Sequence, residues 1–204
     1  MKIRHIATFL AGLALLTGCE KESLRTLFAG QETKIETLVS AQLTANEDYS
    51  VSYNDGSTRL TVVHGEGDGL SGDMLLSFYY AGYVLTGSTL PAASSLFATN
   101  SEDVATAARW NLSKAEEGED AENEDVEEEE EEPDNRYEIC TVKFSEANFV
   151  EGLAKGLEGV KGGEECWIFF SGRHGFGDKK FGTIPANSAI AYHIWVHSVQ
   201  SDEL

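Results

Sequence analysis

The sequence predicts an α+β fold: an antiparallel sheet with a short helix on one face, preceded by a longer helix and a hairpin. Three observations carry this. Apolar residues alternate with period two in several separate stretches, as half-buried strands require. Two other segments repeat every 3.6 residues instead, one ahead of the first strand and one before the last two strands. The order strand, long strand, strand, short helix, two strands lacks the regular strand–helix alternation of a parallel sheet.

Residues 1–18 stand outside this pattern as a signal peptide. Lys2 and Arg4 precede an apolar run from Ile6 to Leu16, too short to span a bilayer. The run ends in Leu16-Thr17-Gly18-Cys19, which resembles the bacterial lipobox, where the cysteine is lipidated and becomes the mature N-terminus. An ordinary signal peptide with an incidental cysteine is the alternative. With lipid on Cys19 the protein would be anchored in the cell envelope, on the periplasmic or surface side of an outer membrane.

Residues 19–30 read as a tether, and 31–57 as an N-terminal helix and hairpin. Ile35, Leu38, Val39 and Leu43 give Gln31 to Ala45 a helical apolar stripe. In "YSVSYNDGSTRLTVVHG", Asn54-Asp55-Gly56 supplies turn chemistry between Val51/Tyr53 and Leu60/Val62. The main domain covers 58–200. "DMLLSFYYAGYVLTG" is a long strand with Met74, Leu76, Phe78 and Tyr80 on one face, and Ser101 to Trp110 reads as a short helix. An acidic insert, 114–135, has no apolar periodicity and repels itself, so disorder is expected there. "YEICTVKF" resumes as a strand. "ANFVEGLAKGLEGV" has helical spacing at Phe149, Leu153 and Leu157, and "EECWIFFS" and "SAIAYHIWVHSV" are the last two strands.

Charge narrows the function. The 204 residues carry a net charge of −20, but residues 116–134 alone hold fourteen acids and no base, so the rest is only mildly acidic. Nucleic acid is an unsuitable partner, because affinity for it rests on Lys and Arg neutralising phosphate. His193 and His197 are four apart, but on a strand that places them about 13 Å from each other. No metal or other cofactor is expected. Cys140 and Cys166 could pair in an exported protein.

The pieces "GEGDGLSGDMLLSFYYAGYVLTG", "LFATN", "FVEGLAKGLEGVKGGEECWIFF", "GRHGFG" and "GTIPANSAIAYHIWV", in that order, resemble the FKBP-type peptidyl-prolyl cis-trans isomerases. The resemblance covers roughly residues 60 to 200, interrupted by the acidic insert. It implies a twisted sheet with a short helix across its concave face, Gly152 and Gly156 letting that helix approach closely, and Cys166, Ile168 and Phe170 beneath it. Trp167, Phe169, Trp195 and Tyr79 would then face outward, where the N-terminal helix could cover them. It also implies a proline-binding pocket lined by Tyr80, Phe97, Phe149, Val150, Leu153, Phe176, Ile184 and Tyr192, with the Val150 N–H holding a substrate carbonyl. Phe78 and Ile168 are expected as plain core. The family's strand order separates Cys140 from Cys166 by two strands, too far for a disulfide.

The chain departs from the family at Ala98, where an acid is common, at Leu153, where Trp is frequent, and at Phe176, which replaces a Tyr. The implied activity is prolyl isomerisation assisting the folding of exported proteins, by a monomer whose partners are proline-containing peptides or unfolded clients. A non-catalytic binding or chaperone module on the same scaffold is the alternative.

Overall fold

The computed structural model describes residues 4–109 and 137–201, with side chains from Lys21 onward. The acidic insert and the Cys19 side chain therefore lie outside the described residues. Helix α1 spans Arg4–Ala45. The segment 19–30, expected as a tether, continues this helix, and its Glu, Lys, Leu, Arg and Ala residues are good helix formers. Strands β1 (Ser50–Asn54) and β2 (Ser57–Val63) form the hairpin, with Asp55 and Gly56 both at positive φ as a type I′ turn requires. Then follow β3 (Leu75–Val84), β4 (Leu96–Thr99), helix α2 (Glu102–Ala107), β5 (Cys140–Lys143), helix α3 (Glu151–Leu157), β6 (Glu165–Phe170) and β7 (Ile190–Gln200).

These strands make one seven-stranded sheet in the order β1-β2-β6-β7-β3-β4, with β5 also paired to β3. The hairpin assigned to the N-terminal extension thus joins the main sheet, because β2 pairs antiparallel with β6 along its length. Every strand pairing is antiparallel. Cys140 and Cys166 are free thiols, on strands separated by β3 and β7.

The sheet has two cores, one per face. On the inner face, α3 lays Leu153 and Leu157 against Cys166, Ile168 and Phe170. A Cβ on Gly152 would lie 2.2 Å from the Phe170 ring, and one on Gly156 2.2 Å from the Ile168 side chain, so only glycine lets the helix sit this close. Each glycine costs about 1 kcal/mol of helix propensity, and the rings and branched chains beneath offset it. The far end of α3 is held from the hairpin. Arg59 Nη1 donates to the carbonyls of Gly156 (3.0 Å) and Glu158 (2.8 Å), and Asn54 Nδ2 donates to that of Lys155 (3.1 Å). A cation there also suits the negative end of the helix dipole. Buried Glu164 balances Arg59 as an ion pair at 3.4 Å and accepts hydrogen bonds from Thr61 Oγ1 and the Lys161 N–H.

On the outer face, Ile35, Leu38 and Val39 of α1 are buried against Leu60, Ala81, Trp167, Phe169 and Ala191. Burying each such side chain contributes about 1.5–3 kcal/mol. Trp195 packs at the margin of this cluster, but Tyr79 stays 36% exposed. Tyr79, paired with Trp195 across β3 and β7, instead lines a surface hollow with the first residues of α2.

One edge of β3 is shared. Its C-terminal half pairs with β4 and its N-terminal half with β5, so the chain leaves this edge near Tyr80 and returns beside Phe78. The buried side chain of Asn100 splices the break. Its Oδ1 accepts from the Tyr80 N–H (2.6 Å), and its Nδ2 donates to the carbonyls of Phe78 (3.3 Å) and Glu138 (3.0 Å). An amide side chain here supplies the bonds that an uninterrupted strand backbone would have made.

Candidate functional site

Between α3, the inner face of β3 and β7, and the segment before β7 lies a cavity of about 400 Å³. Tyr80 comes from β3, Tyr192 from β7, Phe97 and Ala98 from β4, and Cys140 from β5. Phe149 and Leu153 come from the start of α3, and Phe176 and Ile184 from residues 172–187, between β6 and β7. The structure so brings together seven of the eight residues singled out in the sequence.

Val150 does not line the cavity. It is the extended residue that starts α3 (φ −63°, ψ 148°), its side chain packs against the inner core, and its carbonyl accepts from the Ala154 N–H (3.0 Å). Among the described residues, no hydrogen bond of the fold uses its own N–H.

The rings interlock at right angles. Phe97 meets Tyr192 (5.8 Å, 86°) and Phe176 (5.8 Å, 85°) edge to face, and Tyr80 meets Tyr192 at 6.4 Å and 61°. Gly82 makes room for this, since a Cβ there would collide with Phe97 and Tyr192. Phe176 stacks on Phe181 (5.4 Å, 11°), whose ring is 64% exposed at the mouth.

Phe78, Phe181, Gly182 and Thr183 also line the cavity and were not foreseen. Phe78, expected as plain core, is buried yet forms wall; its position two residues before Tyr80 was the available signal. Ile168 is core as expected. Phe181 to Thr183 sit in a turn closed by the Phe181 and Ile184 backbones, and no periodicity marks it.

Among the described residues, no carboxylate, lysine, arginine or histidine lines the cavity. Its titratable groups all stay neutral. Burial pushes the Tyr80 phenol up, with a smaller push from Cys140; burial, then Tyr80, does the same to Tyr192; burial raises the Cys140 thiol. The site therefore offers two phenolic O–H donors in an otherwise apolar, aromatic space. It has no paired acid and base and no activated nucleophile. Among the described residues no group of His, Cys, Asp and Glu could hold a metal ion.

A helix across the concave face of an antiparallel sheet, enclosing an aromatic cavity, is an FKBP-like architecture. Residues 117–197 match the family described as FKBP-type peptidyl-prolyl cis-trans isomerase. Among solved structures the chain is similar to FkpA from Escherichia coli, at 13% identity and a TM-score of 0.51, covering 100% of this chain and 75% of that one. It is also similar to wheat FKBP73 (14% identity, TM-score 0.49, 76% of this chain and 50% of that one). A multi-domain immunophilin from Arabidopsis thaliana matches at 13% identity and a TM-score of 0.49, over 77% of this chain and 48% of that one. The chain spans about half the length of these two plant proteins. No curated protein sequence matches it. At 13% identity the likeness to FkpA speaks for the fold.

Proposed function

We propose that the protein is a peptidyl-prolyl cis-trans isomerase of the FKBP type, held at the cell envelope through lipid on Cys19 and acting on proline-containing segments of exported proteins. The single observation that carries this is the aromatic cavity without charged groups. The barrier to rotation about X–Pro, about 18–20 kcal/mol, comes from amide resonance, and lowering it needs neither nucleophile nor proton shuttle. A desolvating pocket favours the twisted, less dipolar transition state over the planar ground state. Tyr80, Phe97, Leu153 and Tyr192 would enclose the proline ring, and the Val150 N–H would donate to a substrate carbonyl. A second reading, a binding module without turnover, is favoured by Ala98 and Phe176, which leave the wall without the acid and the hydroxyl common in the family.

Isomerisation of a Leu-Pro tetrapeptide, with and without an FKBP ligand, tests the proposal. Turnover blocked by the ligand is expected. Because Tyr80, Tyr192 and Cys140 are all pushed upward, turnover should stay flat from about pH 6 to 9. Ala98→Asp and Phe176→Tyr restore the two family groups, and a rise in turnover would identify the wild type as a working catalyst lacking them. Tetrapeptide binding without turnover would favour the binding module.

A further inference from the structure

We propose that Gln31, on the opposite side of the sheet from the cavity, is a positioning residue for the pocket. This rests on the pocket reading above. Residues 172–187 leave the end of β6, supply Phe176, Phe181, Thr183 and Ile184 to the cavity wall, and return to β7. Their two ends touch: a Cβ on Gly172 would overlap the Asn187 carbonyl. One side chain closes both ends. Gln31 Oε1 accepts from the Gly172 N–H at 2.8 Å, and its Nε2 donates to the Asn187 carbonyl at 2.7 Å.

Only a primary amide fits this position. It presents one acceptor and one donor from a single planar group, and these two partners fix which way the amide points. A carboxylate could not donate and an ammonium could not accept. Gln31 lies four residues before Ile35 and seven before Leu38, so it shares the stripe that docks α1 on the sheet. The docking of α1 thereby sets where the closure lands.

The neighbouring contacts are looser. Ser171 Oγ donates to Glu32 at 3.3 Å, and Arg173 lies 3.9 Å from Glu32 and over the Phe28 ring. Within the segment, the Asn187 N–H donates to the Gly177 carbonyl at 2.8 Å, so the placement of Asn187 passes to the stretch holding Phe176. The aromatic wall is thus held from α1 through two backbone groups. Displacing that wall by about 1 Å is the kind of error that costs catalysis far more than stability.

The test compares the full chain with Gln31→Ala and Gln31→Glu by amide hydrogen exchange across 172–187, thermal midpoint, and kcat/KM and affinity for the Leu-Pro tetrapeptide. Gln31→Ala should raise exchange in 172–187 while the sheet keeps its protection, and lower kcat/KM by roughly an order of magnitude. Gln31→Glu keeps the acceptor and loses the donor, so protection at Gly172 should survive while the Asn187 end loosens. Unchanged exchange in Gln31→Ala, or exchange rising equally through the whole sheet, overturns the proposal. So does a loosened segment with unaltered kcat/KM and affinity. A wild type that neither turns over nor binds the tetrapeptide defeats the isomerase reading, and with it any role for Gln31 in catalysis. The exchange measurement would still decide whether Gln31 closes the segment.

Discussion

Tyr80 illustrates how one side chain can be wall and donor together. It packs against Phe78 and Tyr192, and its phenol is held protonated by burial. Truncation to Ala should cut kcat/KM for a proline tetrapeptide by about 10- to 100-fold through lost enclosure and a lost donor. Tyr80→Phe keeps the ring and should retain much of the rate, which separates desolvation from hydrogen bonding. His193 makes a different prediction. Its ring lies against Trp167 (4.1 Å, 13°) and Trp195 (3.8 Å, 41°), with Nε2 2.8 Å from Glu165. Burial holds the imidazole below its usual value, against the opposing hydrogen bond and charge of Glu165. The unfolded chain therefore takes up this proton more readily than the native state. Stability from neutral His193 is full above about pH 6.5 and is lost as pH falls through the lower folded value. The thermal midpoint should fall between pH 7 and 5, and fall less in His193→Gln; equal slopes would remove His193 as the cause.

At the scale of elements, the interrupted edge of β3 depends on Asn100. Replacing it with Ala leaves the Tyr80 N–H and the Phe78 carbonyl without that partner, at a cost of about 1–3 kcal/mol. Because the same bond fixes the backbone of Tyr80, kcat/KM should fall with stability in Asn100→Ala. Denaturant unfolding and tetrapeptide turnover measured on one preparation would check both. Stability unchanged within error would show that the edge holds without the splice. Helix α3 is secured in a similar spirit at its other end, where Arg59 and Asn54 reach from the hairpin to three of its final carbonyls. Two short helices and four-residue strands would be marginal alone; side-chain bonds across the sheet make them definite.

For the whole molecule, the two ends of the insertion already meet through Asn100 and β5, whatever the acidic block between them does. Replacing residues 115–134 with a short Gly/Ser linker should leave the thermal midpoint nearly unchanged, since each doubling of loop length costs only about 0.6 kcal/mol. Loss of cooperative unfolding in that variant would show the block to be structural. Among the described residues no helix is long and apolar enough to cross a membrane.

Period-two and 3.6-residue patterning were enough to determine the α+β class and the hairpin, while the inward face of β6 and the approach of α3 came from the resemblance to the FKBP family. The patterning signals are local, since a strand's alternation follows from its own residues, and the structure then matched Gly152 to Phe170 and Gly156 to Ile168. Most of the cavity wall was legible through that resemblance, which assigned Tyr80, Phe149, Leu153 and Tyr192 to the pocket by their positions in its motifs. Only the tertiary structure decided the rest. Gln31 and Asn100 look like ordinary polar residues in the sequence, and their partners lie 156 and 38 residues away. Phe181 reads as a loop aromatic until Phe176 is beneath it, and Tyr79, expected beneath the N-terminal helix, proves to stay exposed beside α2. Which backbone groups an amide can join depends on chain segments meeting in space, and no spacing along the chain encodes that.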